Sequence, residues 1–269
     1  MSRLTFQNCT AVITGASSGL GATFARKLAP HASALVLIAR REQEMVALAE
    51  SLRGDRPSLT VAVIACDLSD AGTRELLPAR VAAMGLRVNI LINNAGLGDY
   101  GAFASGPWHR SAAILDVNIH ALTHLAHLFF PDLQTHAPSG MLNVSSLAGE
   151  LPMPDLAVYA ASKAYVSRFS EALRLELRPH GIHVTALCPG PVKTGFGETA
   201  RRAGGFSMAG RHGLQTPDAV VECGLRALLA GRARAFPGTL VKATRLALNL
   251  IPAPLLRAVL ARRPRRSSP

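Results

Sequence analysis

Thr14-Gly15-Ala16-Ser17-Ser18-Gly19-Leu20-Gly21 closes the apolar run Ala11–Thr14 and opens a helical pattern, Gly19–Ala29. Glycines at a strand-to-helix junction permit a tight turn and let backbone approach a bound group closely. The helix start then offers N–H groups and a positive dipole end to an anion. The spacing is G-x-x-x-G-x-G rather than the G-x-G-x-x-G of the dinucleotide fingerprint. An ordinary strand–helix turn is therefore the competing reading of these residues taken alone.

Working outward, short apolar runs alternate with longer helical patterns. Expected strands are Ala11–Thr14, Ala34–Ala39, Val61–Cys66, Ile90–Ile92, Met141–Val144, His183–Leu187 and Arg234–Phe236. Between them lie expected helices at Gly19–Ala29, Glu42–Arg53, Ala71–Gly85, Trp108–Gln134, Ala157–Pro179 and Pro217–Ala230. Such alternation predicts an α/β fold, a doubly wound parallel sheet of about seven strands with helices on both faces. Residues 1–238 read as one domain, and 239–269 as a basic, partly amphipathic C-terminal helical extension.

With 269 residues, 49% of them hydrophobic, the chain can bury a large core, which excludes a disordered polypeptide. Neither a signal peptide nor a membrane-spanning run is expected, so the reading is a cytoplasmic protein. Cys9, Cys66, Cys188 and Cys223 are widely spaced, without zinc spacing, and read as free thiols. The net charge of +12 would by itself suggest a polyanionic partner. Seven of those charges, however, lie in residues 239–269, which contain no Asp or Glu. The near-neutral remainder lacks a basic helix with interleaved aromatics, so nucleic acid is not expected.

The second strand ends Ile38-Ala39-Arg40-Arg41, with no acid until Glu42. Folds that bind NAD usually place an acid here for the ribose hydroxyls, whereas arginine suits a 2′-phosphate. This favours NADP(H) over NAD(H), with Arg40 the stronger candidate of the pair. Tyr159 and Lys163 stand at i and i+4, on one helix face. An ammonium there would lower the phenol pKa and fit it for proton exchange near neutrality. Ser146 can polarise a carbonyl through its oxygen, with Ser145 as the alternative hydroxyl.

Over about residues 8–238 the sequence resembles the short-chain dehydrogenases/reductases. Thr14–Gly21 matches the TGxxxGxG loop, Asn93-Asn94-Ala95-Gly96 the NNAG segment and Tyr159–Lys163 the YxxxK motif. Ser146 lies 13 residues before Tyr159, where the family places its serine, and Pro189-Gly190-Pro191-Val192-Lys193-Thr194 resembles PGxVxT. The resemblance implies a Rossmann-like fold and hydride transfer between a nicotinamide and a carbonyl or secondary alcohol. It implies catalytic roles for Asn118, Ser146, Tyr159 and Lys163, with Lys163 also on the nicotinamide ribose and Asn118 holding a relay water. It further implies cofactor contacts at Gly15, Ser17, Ser18, Gly19, Leu20, Gly21, Arg40, Arg41, Asp67, Leu68, Asn94, Ala95, Gly96, Pro189, Gly190, Val192 and Thr194. A non-catalytic NADP(H)-binding regulator is the alternative, and the intact Asn118–Ser146–Tyr159–Lys163 set argues against it.

Three further features carry expectations. His120, His124 and His127 share a face turned away from Asn118, which points to a subunit interface or solvent rather than a metal. The resemblance implies a homodimer or homotetramer. The stretch Gly195–Gly213, with Phe196, Phe206, Met208 and three arginines (Arg201, Arg202, Arg211), is expected to cover the substrate, and Leu151, Met153 and Pro154 to border it. An apolar or lipid-like carbonyl compound is the expected class. In the tail, Lys242, Arg245 and Asn249 fall on one helical face opposite Leu240, Ala247, Leu248 and Ile251, which would suit a peripheral membrane contact. Packing of this helix on its own domain is the alternative.

Overall fold

A computed structural model of the chain describes residues 3–201 and 214–261. Seven parallel strands form one sheet: β1 (Thr10–Thr14), β2 (Ala34–Ala39), β3 (Thr60–Ala65), β4 (Ile90–Asn93), β5 (Ser139–Val144), β6 (Ile182–Leu187) and β7 (Arg234–Ala235). Their order is β3-β2-β1-β4-β5-β6-β7, so the direction of winding reverses between β1 and β4. Ligands of such sheets lie in the crevice at the carboxyl ends of the strands beside that reversal.

Both faces of the sheet are covered, which is why β1 and β2 read as unbroken apolar runs and are buried throughout. On one face α1 (Gly19–Leu28), α2 (Glu42–Asp55) and α10 (Pro217–Leu229) bury Phe24, Leu28, Met45, Val221 and Leu228. On the other, Leu125, Phe129 and Leu177 pack against Val12, Val36, Leu91 and Val184. Leu125 lies on α6 (Leu122–Leu128) and Leu177 on α8 (Ala157–Leu177).

Two helices differ from the sequence reading. The expected helix Ala71–Gly85 is two, α3 (Ala71–Glu75) and α4 (Leu77–Ala83). Asp70 caps the first through Gly72 N and Thr73 N, while Pro78, which has no N–H, opens the second. The expected helix Trp108–Gln134 runs as α5 (Trp108–Leu115), a π-helical turn (Asp116–Ala121) and α6, and then breaks at Phe129. Pro131 starts α7 (Phe130–Thr135). Single π turns inside α-helices concentrate at functional positions, and this one carries Asn118.

Beyond β7 the chain continues as α11 (Thr239–Leu250) and α12 (Ala253–Ala261). Val241 is buried with Ala186, Cys188 and Phe236, and the Arg245 guanidinium stacks over the Phe236 ring at 4.5 Å. The first tail helix is thus seated on the sheet domain through the Val241 face. Leu240, on the apolar face read as suited to a membrane contact, is 68% exposed. Arg262–Arg266 and the Asn249 side chain lie outside the described residues. Among the described residues, no helix is long and apolar enough to cross a membrane.

Candidate active site

The residues singled out from sequence follow the carboxyl ends of β1 to β6, so the parallel sheet gathers them along one edge. The glycine turn is held from β4. Thr14 Oγ1 accepts from Asn94 N and Ala95 N, both at 3.0 Å, and Asn94 Nδ2 donates to Thr14 O at 2.9 Å. No side chain larger than hydrogen fits here. A Cβ on Gly21 would lie 2.2 Å from Gly15 O, and one on Gly15 (φ +65°) 2.9 Å from Ala95 Cα. Gly19 (φ +56°) opens α1 and faces Thr194, whose Cγ2 would stand 3.5 Å from an added Cβ. Leu20 packs partly buried against the core.

Ser18 is the N-cap residue of α1, but its hydroxyl does not cap the helix. Instead, Arg41 Nη2 donates to Ser18 Oγ at 2.7 Å and Ser17 Oγ at 3.1 Å. Arg41, more than Arg40, is the guanidinium placed on the glycine turn. Arg40 is exposed, and its charge adds a little to the downward shift of the Asp67 carboxyl. The main cause of that shift is the Ser69 N–H and hydroxyl, both bonded to Asp67 Oδ1. Leu68 is buried beside it. The cradle therefore combines helix N–H groups, two hydroxyls and a cation, a donor set that fits a dinucleotide diphosphate and a ribose phosphate.

Deeper along the edge, Gly96 forms an opening between two polar side chains. A Cβ there would stand 3.3 Å from both Lys163 Nζ and Asn118 Oδ1. Asn118 is fully buried; it accepts from Leu97 N at 2.8 Å and donates to Leu97 O and Ser162 Oγ, both at 3.0 Å. Lys163 Nζ donates to Val144 O at 2.8 Å and sits 5.8 Å from the Tyr159 ring centre.

The two serines separate cleanly. Ser145 Oγ donates to Lys163 O at 2.7 Å and bonds Ser167 Oγ at 2.8 Å, facing α8. Ser146 Oγ accepts from Ala148 N at 3.1 Å and faces the Tyr159 hydroxyl. Electrostatics depart from the expectation of an ammonium-lowered phenol. Burial pushes the Tyr159 hydroxyl above its usual range, and the nearby Ser146 hydroxyl only opposes this. Burial likewise depresses Lys163, to about 8.

The Pro189–Thr194 segment is pinned by Gln215, a residue the sequence reading did not single out. Gln215 Oε1 accepts from Gly190 N at 3.0 Å, and its backbone exchanges bonds with Pro191 O and Lys193 N, both at 2.9 Å. Pro189 O accepts from Leu147 N, joining this segment to the Ser146 turn, and Val192 bridges to Gln215. Gly149 was also missed. It lies in the turn Leu147–Glu150, and an added Cβ would stand 2.6 Å from the backbone of Lys163 and Ala164. Neither residue has a sequence signal, because each acts through a close approach between distant segments.

On the substrate side, α9 (Phe196–Ala200) lays Phe196 against Tyr159, with ring centres 5.7 Å apart. Gly98 makes room, since a Cβ there would meet Phe196 Cζ at 2.8 Å. Leu151 and Met153 are half-buried on the loop after the Ser146 turn, and Pro154 is exposed. Phe206, Met208, Arg202 and Arg211 lie outside the described residues. His120 contacts Asp116 at 3.1 Å, His124 accepts from Arg74 Nε at 3.4 Å, and His127 is exposed.

The short chain dehydrogenase family matches residues 9–204. Sulfoacetaldehyde reductase 2 of Chromohalobacter salexigens is 36% identical over 207 residues, which cover 74% of this chain and 77% of that protein. A Sphingobium yanoikuyae short-chain dehydrogenase in complex with NADPH superposes with a TM-score of 0.79 at 29% identity, covering 97% of this chain and 98% of the other. A Burkholderia phymatum short-chain dehydrogenase/reductase in complex with NAD superposes with a TM-score of 0.79 at 27% identity, covering 90% and 93%. The chain is an NAD(P)-dependent oxidoreductase acting on CH–OH or C=O groups. The chain belongs to the short-chain dehydrogenase/reductase family.

Proposed function

We propose that the protein is an NADPH-dependent carbonyl reductase that works on apolar or bulky substrates. The observation that carries this reading is the meeting of Ser146, Tyr159, Lys163 and Asn118 beside the glycine cradle. When bound, the nicotinamide supplies the hydride. Tyr159, its proton held tightly by burial, donates to the oxygen of the reduced carbonyl. Ser146, whose hydroxyl faces that of Tyr159, would hold the carbonyl oxygen in line. Lys163 would present its ammonium to the nicotinamide ribose, and Asn118 fixes Leu97 through two hydrogen bonds. A relay water, as the family resemblance implies, would lie between the Asn118 turn and Lys163. Phe196 lying on Tyr159 favours an apolar substrate group and excludes water.

Gly15, Ser17, Ser18, Gly19, Leu20 and Gly21 would hold the diphosphate. Asp67 and Leu68 would flank the adenine, and Asn94, Ala95, Gly96, Pro189, Gly190, Val192 and Thr194 the nicotinamide half. Arg41 supports the choice of NADPH, because its guanidinium already sits on two hydroxyls of the cradle. Arg41→Ala is expected to weaken NADPH binding by roughly tenfold or more while changing NADH binding little, as charge-assisted phosphate contacts contribute that much. Fluorescence titration with both nucleotides measures it, and equal losses would refute the assignment. The same preparation, screened at 340 nm against apolar ketones and small anionic aldehydes, tests the substrate class. Preference for the aldehydes would move the assignment towards the substrate that names the Chromohalobacter relative.

A pH limb follows from Lys163. Its pKa of about 8 lies below the ordinary lysine value, so the charged form fades as pH rises through 8. Carbonyl reduction should therefore decline above about pH 8 as kcat/KM, with NADPH affinity falling in parallel. A profile flat to pH 10 would remove the ammonium from the mechanism.

We place the catalytic unit in residues 1–238, with 239–269 an extension of it, in a cytoplasmic homodimer or homotetramer. Exposed Trp108, Tyr165 and Leu175 on α5 and α8 support self-association. Light scattering coupled to size exclusion reads the stoichiometry.

A further inference from the structure

Apart from the catalytic edge, a pocket of about 480 Å³ lies between α10, β7 and α11. Arg226, Arg232, Arg234, Lys242 and Arg245 line it around Phe236, and no Asp or Glu does. Among the described residues, only Arg234 has its charge answered, by Glu150 at 2.7 Å and Glu171 at 2.6 Å. The acids of α10, Asp218 and Glu222, are turned to Lys27 on α1, at 3.3 and 2.7 Å. Arg226, Arg232 and Lys242 thus face the pocket with no acid within ion-pair distance among the described residues. Arg245 is held flat by Phe236, and its Nε is buried with no hydrogen-bond partner among the described residues.

Like charges drawn from three elements repel one another, and a buried guanidinium N–H without an acceptor is unfavourable. One multivalent anion relieves both. We propose that this pocket binds a phosphate ester, its oxygens accepting from Arg226, Arg232, Lys242 and Arg245, with Phe236 as the apolar floor. Arginine forks match tetrahedral oxyanions in this way. The pocket shares no lining residue with the cofactor cradle, and the proposal stands independently of the reductase reading. The phosphate has two possible sources, a soluble ester or a lipid headgroup. The second is compatible with Leu246 and Leu250, 62% and 75% exposed on the same helix as Lys242.

The test uses the full chain and one phosphate in both forms, sn-glycerol 3-phosphate by calorimetry and phosphatidic acid vesicles by co-sedimentation. Saturable binding to either is expected, weakened roughly tenfold or more in the Arg226→Glu/Lys242→Glu double variant and retained in Arg41→Ala. Both substituted side chains in the double variant are exposed, and unchanged NADPH binding and melting temperature would certify its fold. Binding of the soluble ester identifies a metabolite site, and binding of the vesicles alone identifies a headgroup site. The proposal is overturned if neither binds or if the double variant binds within twofold of the parent. Loss in Arg41→Ala instead, or equal binding to phosphatidylcholine vesicles made anionic with oleic acid, overturns it too.

Discussion

Tyr159→Phe should lower kcat for carbonyl reduction by about a thousandfold, within the span that a positioned proton donor contributes. NADPH affinity should stay within about threefold, since the phenylalanine ring replaces the tyrosine ring atom for atom. The contact with Phe196 at 5.7 Å and the approach of Lys163 at 5.8 Å both involve the ring and survive the change. Only the hydroxyl, which faces Ser146, is lost. Single-turnover reduction of a ketone, paired with nucleotide titration, separates chemistry from binding. Undiminished turnover would reject Tyr159 as the proton donor, and loss of NADPH binding would mean that the site had been distorted.

Gly149→Ala carries the second large effect, at a position with no reactive atom. The new methyl would be forced to within 2.6 Å of Lys163 C and Ala164 N. Those are backbone atoms inside α8 and cannot step aside cheaply. The turn Leu147–Glu150 must move instead, taking the Ser146 hydroxyl with it. Overpacking of this kind costs about 1–3 kcal/mol of stability. A displacement of about 1 Å at the serine is expected to lower kcat on the order of a hundredfold. Thermal unfolding and kcat on one preparation check both parts. A variant with parental kcat would show that the turn carries no positioning role.

These two positions mark what sequence does and does not reveal. Tyr159 is legible because Tyr159 and Lys163 stand four residues apart on one helix face and Ser146 precedes Tyr159 by a single connection. The strand alternation is legible for the same reason, since burial on both faces writes itself into runs such as Ala34–Ala39. Gly149 is silent because its constraint is the proximity of α8. Gln215 is silent because its partners lie more than twenty residues away. The arginine pair was readable as a cation at the end of β2, but which of the two turns to Ser17 and Ser18 depends on the path of α2. The +12 charge told least in the aggregate: Arg226, Arg232, Lys242 and Arg245 become a group only when α10, α11 and the approach to β7 fold together.

The π turn at Asp116–Ala121 has a consequence for anyone altering this scaffold. It amounts to one surplus residue threaded into an otherwise continuous rod. Deleting any residue within it would heal the rod, and a helical residue turns by about 100°. Trp108–Leu115 would then be rotated relative to Leu122–Leu128, and the seam between rod and sheet could fit only one half. The length of this helix is thus part of the site's design, and a homologue aligned across it with a one-residue gap would be expected to have lost the amide that holds Leu97.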